Sequence, residues 1–80
     1  MIEQAIQAKR IKQLEKDGYY VLKLVQTNKN GIPDLLAIKG DGSILFSEIK
    51  TKIGRLSSLQ KYRIKELEEL GFTVEIFKGL

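Results

Sequence analysis

Residues 31–50 read Gly-Ile-Pro-Asp-Leu-Leu-Ala-Ile-Lys-Gly-Asp-Gly-Ser-Ile-Leu-Phe-Ser-Glu-Ile-Lys, and the fold turns on them. Pro33 cannot donate a ladder hydrogen bond, so it belongs at the first position of a strand. The expected strand then covers Asp34 to Lys39. Gly40-Asp41-Gly42-Ser43 supplies a tight connection of hairpin type, and the next strand covers Ile44 to Lys50. A short hairpin makes the beginning of one strand neighbour the end of the other. Asp34 is therefore expected beside Glu48 and Lys50, which stand at i and i+2 and point to one face of the sheet, roughly 7 Å apart along the strand.

Outward from this hairpin the remaining elements fall into order. Residues 2–17 read as a helix: they hold no Gly or Pro, are rich in Gln, Lys, Glu and Ala, and stop at Gly18. On a wheel of 100° per residue, Ile2, Ala5 and Ile6 fall on one side and Ala8, Ile11 and Leu14 on the other. The expectation is a helix with two apolar faces, one for its own sheet and one for a second subunit. Tyr19 to Gln26 is rich in β-branched and aromatic residues and reads as a strand, and residues 27–31 as a loop. After Lys50 comes a basic loop, Thr51 to Leu56. Ser57 opens a second helix that runs to Leu70 and stops at Gly71, and Phe72 to Phe77 forms the last strand. The order is αβββαβ in a single α/β (α+β) domain over residues 1–80. A helix between the third and fourth strands implies a parallel crossover. The four-stranded sheet should therefore be mixed, with two helices.

The chain has 80 residues with a formal net charge of +4, no Cys and no His. Those two zeros exclude a disulfide framework and a zinc site of thiolate or imidazole ligands. Cysteine and Ser-His nucleophiles are excluded too, as is any nuclease that depends on a histidine base. No apolar stretch is long enough to span a bilayer, and Met1-Ile2-Glu3-Gln4 has neither the basic nor the apolar region of a signal peptide. An intracellular, soluble protein without membrane partners is expected. A chain this short buries only about 60% of the surface it exposes unfolded, which favours a partner subunit.

Two carboxylates and an ammonium at one end of a sheet have a chemical use. The oxygens of Asp34 and Glu48, with a backbone carbonyl such as that of Ile49, make a hard-oxygen site suited to Mg²⁺ or Mn²⁺. Such an ion lowers the pKa of a bound water and polarises a phosphoryl oxygen. Lys50 can orient or deprotonate the attacking water, or neutralise charge in the transition state. Taken singly, Glu-x-Lys on a strand is usually a solvated edge or cross-strand ion pair, and Pro-Asp is usually turn chemistry. Their convergence in one corner is what raises the metal-phosphate reading.

The charge pattern points the same way. From Ile49 to Lys65 there are six basic residues (Lys50, Lys52, Arg55, Lys61, Arg63 and Lys65) and no acidic one. The rest of the chain sums to −2. Solvated surface cations are the plain alternative. Yet cations near a helix N-terminus oppose its macrodipole, a cost that a phosphate backbone would offset.

At this point three motifs carry a family resemblance: Gly31-Ile32-Pro33-Asp34-Leu35-Leu36-Ala37, Phe46-Ser47-Glu48-Ile49-Lys50-Thr51, and Gly54-Arg55-Leu56-Ser57 with Gln60. Together, and over nearly the whole chain, they resemble the VRR-NUC (virus-type replication-repair nuclease) domain of the PD-(D/E)XK nuclease superfamily. The resemblance implies a restriction-endonuclease-like core. It implies Asp34 and Glu48 as metal carboxylates, the Ile49 carbonyl as a third ligand and Lys50 as the catalytic lysine. Glu3 matches an acidic residue of the first helix and is the only acid in residues 1–14; favourable N-terminal helix charge is its alternative. Gln60 matches a glutamine of the second helix, while Ser57-x-x-Gln60 is also a capping box. Family members often carry the module inside larger chains, whereas here it stands nearly alone. A bare module resembles minimal members that form homodimers and cut branched DNA such as four-way (Holliday) junctions.

The expected function is thus a Mg²⁺- or Mn²⁺-dependent DNA endonuclease in replication or repair, acting on structured DNA. Lys52, Arg55, Lys61 and Arg63 are expected to hold phosphates without reading sequence. The rival is a non-catalytic nucleic-acid-binding or assembly module on the same fold, and behind it a purely structural partner protein.

Overall fold

A computed structural model describes residues 2–79; the end residues of the expected 1–80 domain, Met1 and Leu80, lie outside the described residues. The elements are α1 (Glu3–Lys16), β1 (Tyr20–Lys23), β2 (Leu35–Ile38), β3 (Ile44–Lys50), α2 (Ser58–Glu69) and β4 (Thr73–Lys78). The four strands form one sheet in the order β1-β2-β3-β4. The first three meander antiparallel, and β4 returns parallel to β3, so the sheet is mixed as the crossover helix requires. Among the described residues no helix is long and apolar enough to cross a membrane.

Pro33 sets where two strands stop. The β1–β2 register pairs Lys23 with Leu35, and the Leu24 amide still donates to the Asp34 carbonyl at 2.8 Å. One step further Val25 would face Pro33, which has no N–H to give. Val25 is accordingly 84% exposed, and β1 covers less than the expected Tyr19–Gln26. The same step leaves Asp34 just outside β2 rather than as its first residue. At the other end the hairpin closes through Lys39 N–H to Ser43 O at 2.9 Å, with Ser43 N–H donating to Asp41 Oδ1 at 2.8 Å.

The core lies between α1 and one face of the sheet. Ile6 and Leu14 pack there with Leu35, Ala37 and Ile49, flanked by Ile11, Tyr19, Val21, Leu45 and Phe77. The expected division of α1 is therefore corrected in its membership: Ile6, Ile11 and Leu14, assigned to two sides, all pack on the core. Ile6 and Leu14 stand only about 80° apart around the axis, within the width of a single buried stripe. Ile2 is 67% exposed and Ala5 and Ala8 are exposed as well, so these three stay outside the core. Helix and sheet are also tied by charge: Arg10 donates from Nε and Nη2 to the Glu75 carboxylate, both at 2.8 Å, and Ser47 Oγ donates to Glu75 Oε2 at 2.6 Å. Arg10 lies over the Phe77 ring as well.

On the opposite face α2 packs against β4. Strand alternation turns Phe46, Glu48 and Lys50 to this side, and Phe46 meets Phe72 edge-to-face. The Gly31 backbone passes directly over α2. A Cβ there would come within 2.6 Å of Leu59 Cγ, and its φ of +81° is one that glycine adopts without strain. That close passage delivers Pro33 and Asp34 to the end of β3.

Candidate metal and nucleic-acid site

Asp34 reaches the site through the bend that precedes β2. Its Oδ2 accepts the Ile49 N–H at 2.8 Å, which fixes the side chain across the C-terminal end of β3. Glu48 is next to it and only 2% exposed. One carboxylate oxygen, Oε2, accepts from Gln60 Nε2 at 3.2 Å. The other, Oε1, is buried and finds no hydrogen-bond partner among the described residues. An orphaned carboxylate oxygen is costly unless something supplies the missing interaction.

Gln60 does two jobs. Its amide N–H donates to Ser57 Oγ at 3.1 Å and its Oε1 accepts from the Ser57 N–H at 2.9 Å, closing a capping box at the start of α2. Its Nε2 is then left to hold Glu48. The cap and the site contact, alternatives in the sequence, are made by one side chain together.

Burial is the largest cause pushing the Glu48 carboxyl up to about 8, from 4.5 ordinarily. The neighbouring charge of Asp34 pushes in the same direction, Lys50 opposes, and Glu3 adds a smaller upward push. The folded protein thus holds this proton more tightly than the unfolded chain. With respect to Glu48, stability is fully present below about pH 4.5 and is lost as pH rises through about 8, by a few kcal/mol in all. Metal-free protein is therefore expected to melt at progressively lower temperature between about pH 5 and pH 8.5, whereas Glu48→Gln should be nearly flat over that window. Equal slopes for the two in thermal unfolding would remove the buried proton from this account.

Glu3 sits over the same corner. With Gln4, Gln7, Asp34 and Ile49 it lines a small cleft of about 150 Å³. Among the described residues no three acidic side chains gather closely enough to hold a metal between them, so Glu3 neighbours the pair without joining it as a third ligand. The third oxygen is available from the backbone. Extending the β2–β3 register, in which Leu35 pairs with Ser47, sets Ile49 opposite Pro33, and the Ile49 carbonyl has no strand N–H to accept. Two carboxylates, one of them with a bare buried oxygen, and an uncommitted carbonyl fit a hard divalent cation that keeps several of its waters.

The cations divide between two places. Lys50, Lys52, Arg55 and Lys61 line one open cleft of about 580 Å³. Arg63 does not join them: its Nε donates to the Asn30 carbonyl at 2.9 Å and its Nη1 to Glu66 Oε1 at 2.9 Å, fastening the 27–32 loop to α2. The sequence reading also missed Gln4, Gln7, Ile53, Ile76 and Lys78 as lining residues. Gln7 lies one helical turn after Glu3 and was legible from that spacing. Lys78 was not, because only the β3–β4 pairing brings it beside Lys50.

The family model described as the VRR-NUC domain matches residues 1–80. A solved structure described as a VRR_NUC domain superposes with a TM-score of 0.83 at 26% sequence identity, covering 96% of this chain and 83% of that one. No curated protein matches the chain.

Proposed function

The chain belongs to the VRR-NUC domain family and carries a nuclease-type fold, and on that premise we propose that it is a divalent-metal-dependent endonuclease hydrolysing phosphodiester bonds in branched or otherwise structured DNA. The observation that carries this reading is the pairing of Asp34 with a buried Glu48 whose Oε1 has no hydrogen-bond partner among the described residues. A bound Mg²⁺ or Mn²⁺ would supply Lewis acidity and an activated water. Asp34, Glu48 and the Ile49 carbonyl would hold it. Asp34 is aimed by the Ile49 N–H and Glu48 by Gln60, so two of the ligand side chains are fixed by backbone or by a helix cap before any ion arrives. Lys50, one residue beyond Ile49, orients or deprotonates the attacking water or neutralises charge on the phosphorane-like transition state. Lys52, Arg55 and Lys61 hold phosphates on the adjoining surface. Arg63 acts on this surface only by fixing the helix.

A homodimer fits two incisions in one branched substrate, because each protomer offers a single corner of this kind. One surface available to a second copy is on the sheet. Tyr20 and Leu22 of β1 share the α2-side face with Leu36 and Ile38 but lie beyond the reach of α2, 70% and 40% exposed.

The test is a cleavage panel of four-way junctions, flaps, nicked and intact duplexes with Mg²⁺ or Mn²⁺. Cleavage of branched DNA that stops in EDTA is expected. Binding that survives EDTA with no cleavage under any condition would instead favour the non-catalytic module.

A further inference from the structure

The cleft beside Lys50 is larger and chemically more mixed than phosphate contacts alone require. Five cations line it and no acid does. Two of them, Lys50 and Lys78, are register partners on neighbouring parallel strands, and like charges side by side on one sheet face repel. Between the cations stand apolar side chains that the rest of the chain leaves exposed. Ile53 is 89% exposed, at the crest of the loop closed by Gly54 N–H to Thr51 O at 3.0 Å. Ile76, 44% exposed, is the register partner of Glu48. One exposed isoleucine would need no explanation; two inside a cationic cleft that begins at the catalytic lysine do.

Phosphates and sugars satisfy lysines but gain little from isoleucines. A base face gains from them, and in an intact duplex the base faces are stacked away. Proteins that touch base faces act on single strands or on steps that are already unstacked. We propose that this cleft seats an unpaired stretch of DNA strand adjoining the scissile phosphate, with Lys61 and Lys78 on its phosphates and Ile53 and Ile76 against a base that has left the stack. The proposal rests on the nuclease reading and narrows its substrate to DNA with unpaired nucleotides next to the cut. Continuity with Lys50 favours a nucleic-acid strand over an acidic peptide, since whatever occupies the cleft runs into the catalytic corner.

The experiment measures binding in the Asp34→Asn background, where nothing is cut. Fluorescent DNA is used as a blunt duplex, as the same duplex with a single-stranded arm, and as the arm alone, with polyglutamate as competitor. The arm-bearing duplex should bind about tenfold more tightly than the blunt one. Lys78→Ala should weaken it about five- to tenfold and reduce the salt slope by about one. Ile53→Ser should weaken the arm-bearing duplex several-fold while leaving the blunt duplex unchanged, and 2-aminopurine at the first unpaired position should lose its emission change. Both positions are exposed, so the variants keep the fold. Equal affinity for blunt and arm-bearing duplexes, no effect of either substitution, or displacement by polyglutamate as effective as by the arm would each overturn the proposal. The parent protein is run in parallel with Mg²⁺. If it fails to cut while the binding pattern holds, the nuclease reading falls and the cleft stands; if it cuts and the pattern is absent, the reverse is true.

Discussion

Asp34→Asn is expected to abolish cleavage of every DNA in the panel, by at least about a thousandfold, without unfolding the protein. The amide keeps an oxygen where Oδ2 accepts the Ile49 N–H, so the corner is still pinned to β3. What disappears is the negative charge, and with it half of the carboxylate pair. Losing that charge also relieves the push Asp34 exerts on Glu48, so the metal-free variant should be as stable as the parent at neutral pH, or slightly more so. The stabilisation expected for the parent with Mn²⁺ should be absent from the variant, because an ion that binds only the folded state raises its melting temperature. Residual cleavage above about a thousandth of the parent rate, in a variant that melts normally, would contradict the role of Asp34.

Lys50→Ala is the second large effect. A well-placed acid, base or charge stabiliser contributes about a hundred- to ten-thousandfold, so cleavage should fall by that order while DNA affinity falls only by the loss of one phosphate contact. Metal-induced stabilisation should persist, somewhat weakened at neutral pH, because Lys50 opposes the upward push on the Glu48 carboxyl. Lys50→Arg separates the roles left open for this side chain. Arginine restores the positive charge but does not give up a proton under these conditions. Recovery of most of the rate in the arginine variant would assign charge neutralisation; failure to recover would assign handling of the water. If the alanine variant cut as fast as the parent, Lys50 would have no part in the chemistry.

Most of the scaffold was legible because short-range rules decided it. A proline, a Gly-rich turn and two apolar runs set the hairpin, and the hairpin register alone brings the stretch around Asp34 to the end of β3. The Ser57 cap marked the start of α2 to within a residue. Features that depend on what an element packs against were not legible. The wheel separated Ile6 from Leu14, yet one broad stripe takes both into the core. Charge counting grouped Arg63 with Lys61, yet a carbonyl at Asn30, thirty-three residues away in sequence, claims its guanidinium. Lys78 enters the basic cleft only through a parallel pairing whose register no local motif encodes.

The shared glutamine has a thermodynamic corollary. Ser57 and Glu48 are bridged by Gln60 alone, one gripping its backbone amide and side-chain oxygen, the other its side-chain nitrogen. Ser57→Ala loosens the helix turn that carries Gln60, and Glu48→Ala removes the acceptor of its Nε2, so the two combined should be non-additive in a double-mutant cycle. Fraying of the first turn of a helix and disarming of a carboxylate then become a single event, and mutational scanning of this segment would score as chemistry what begins as helix melting.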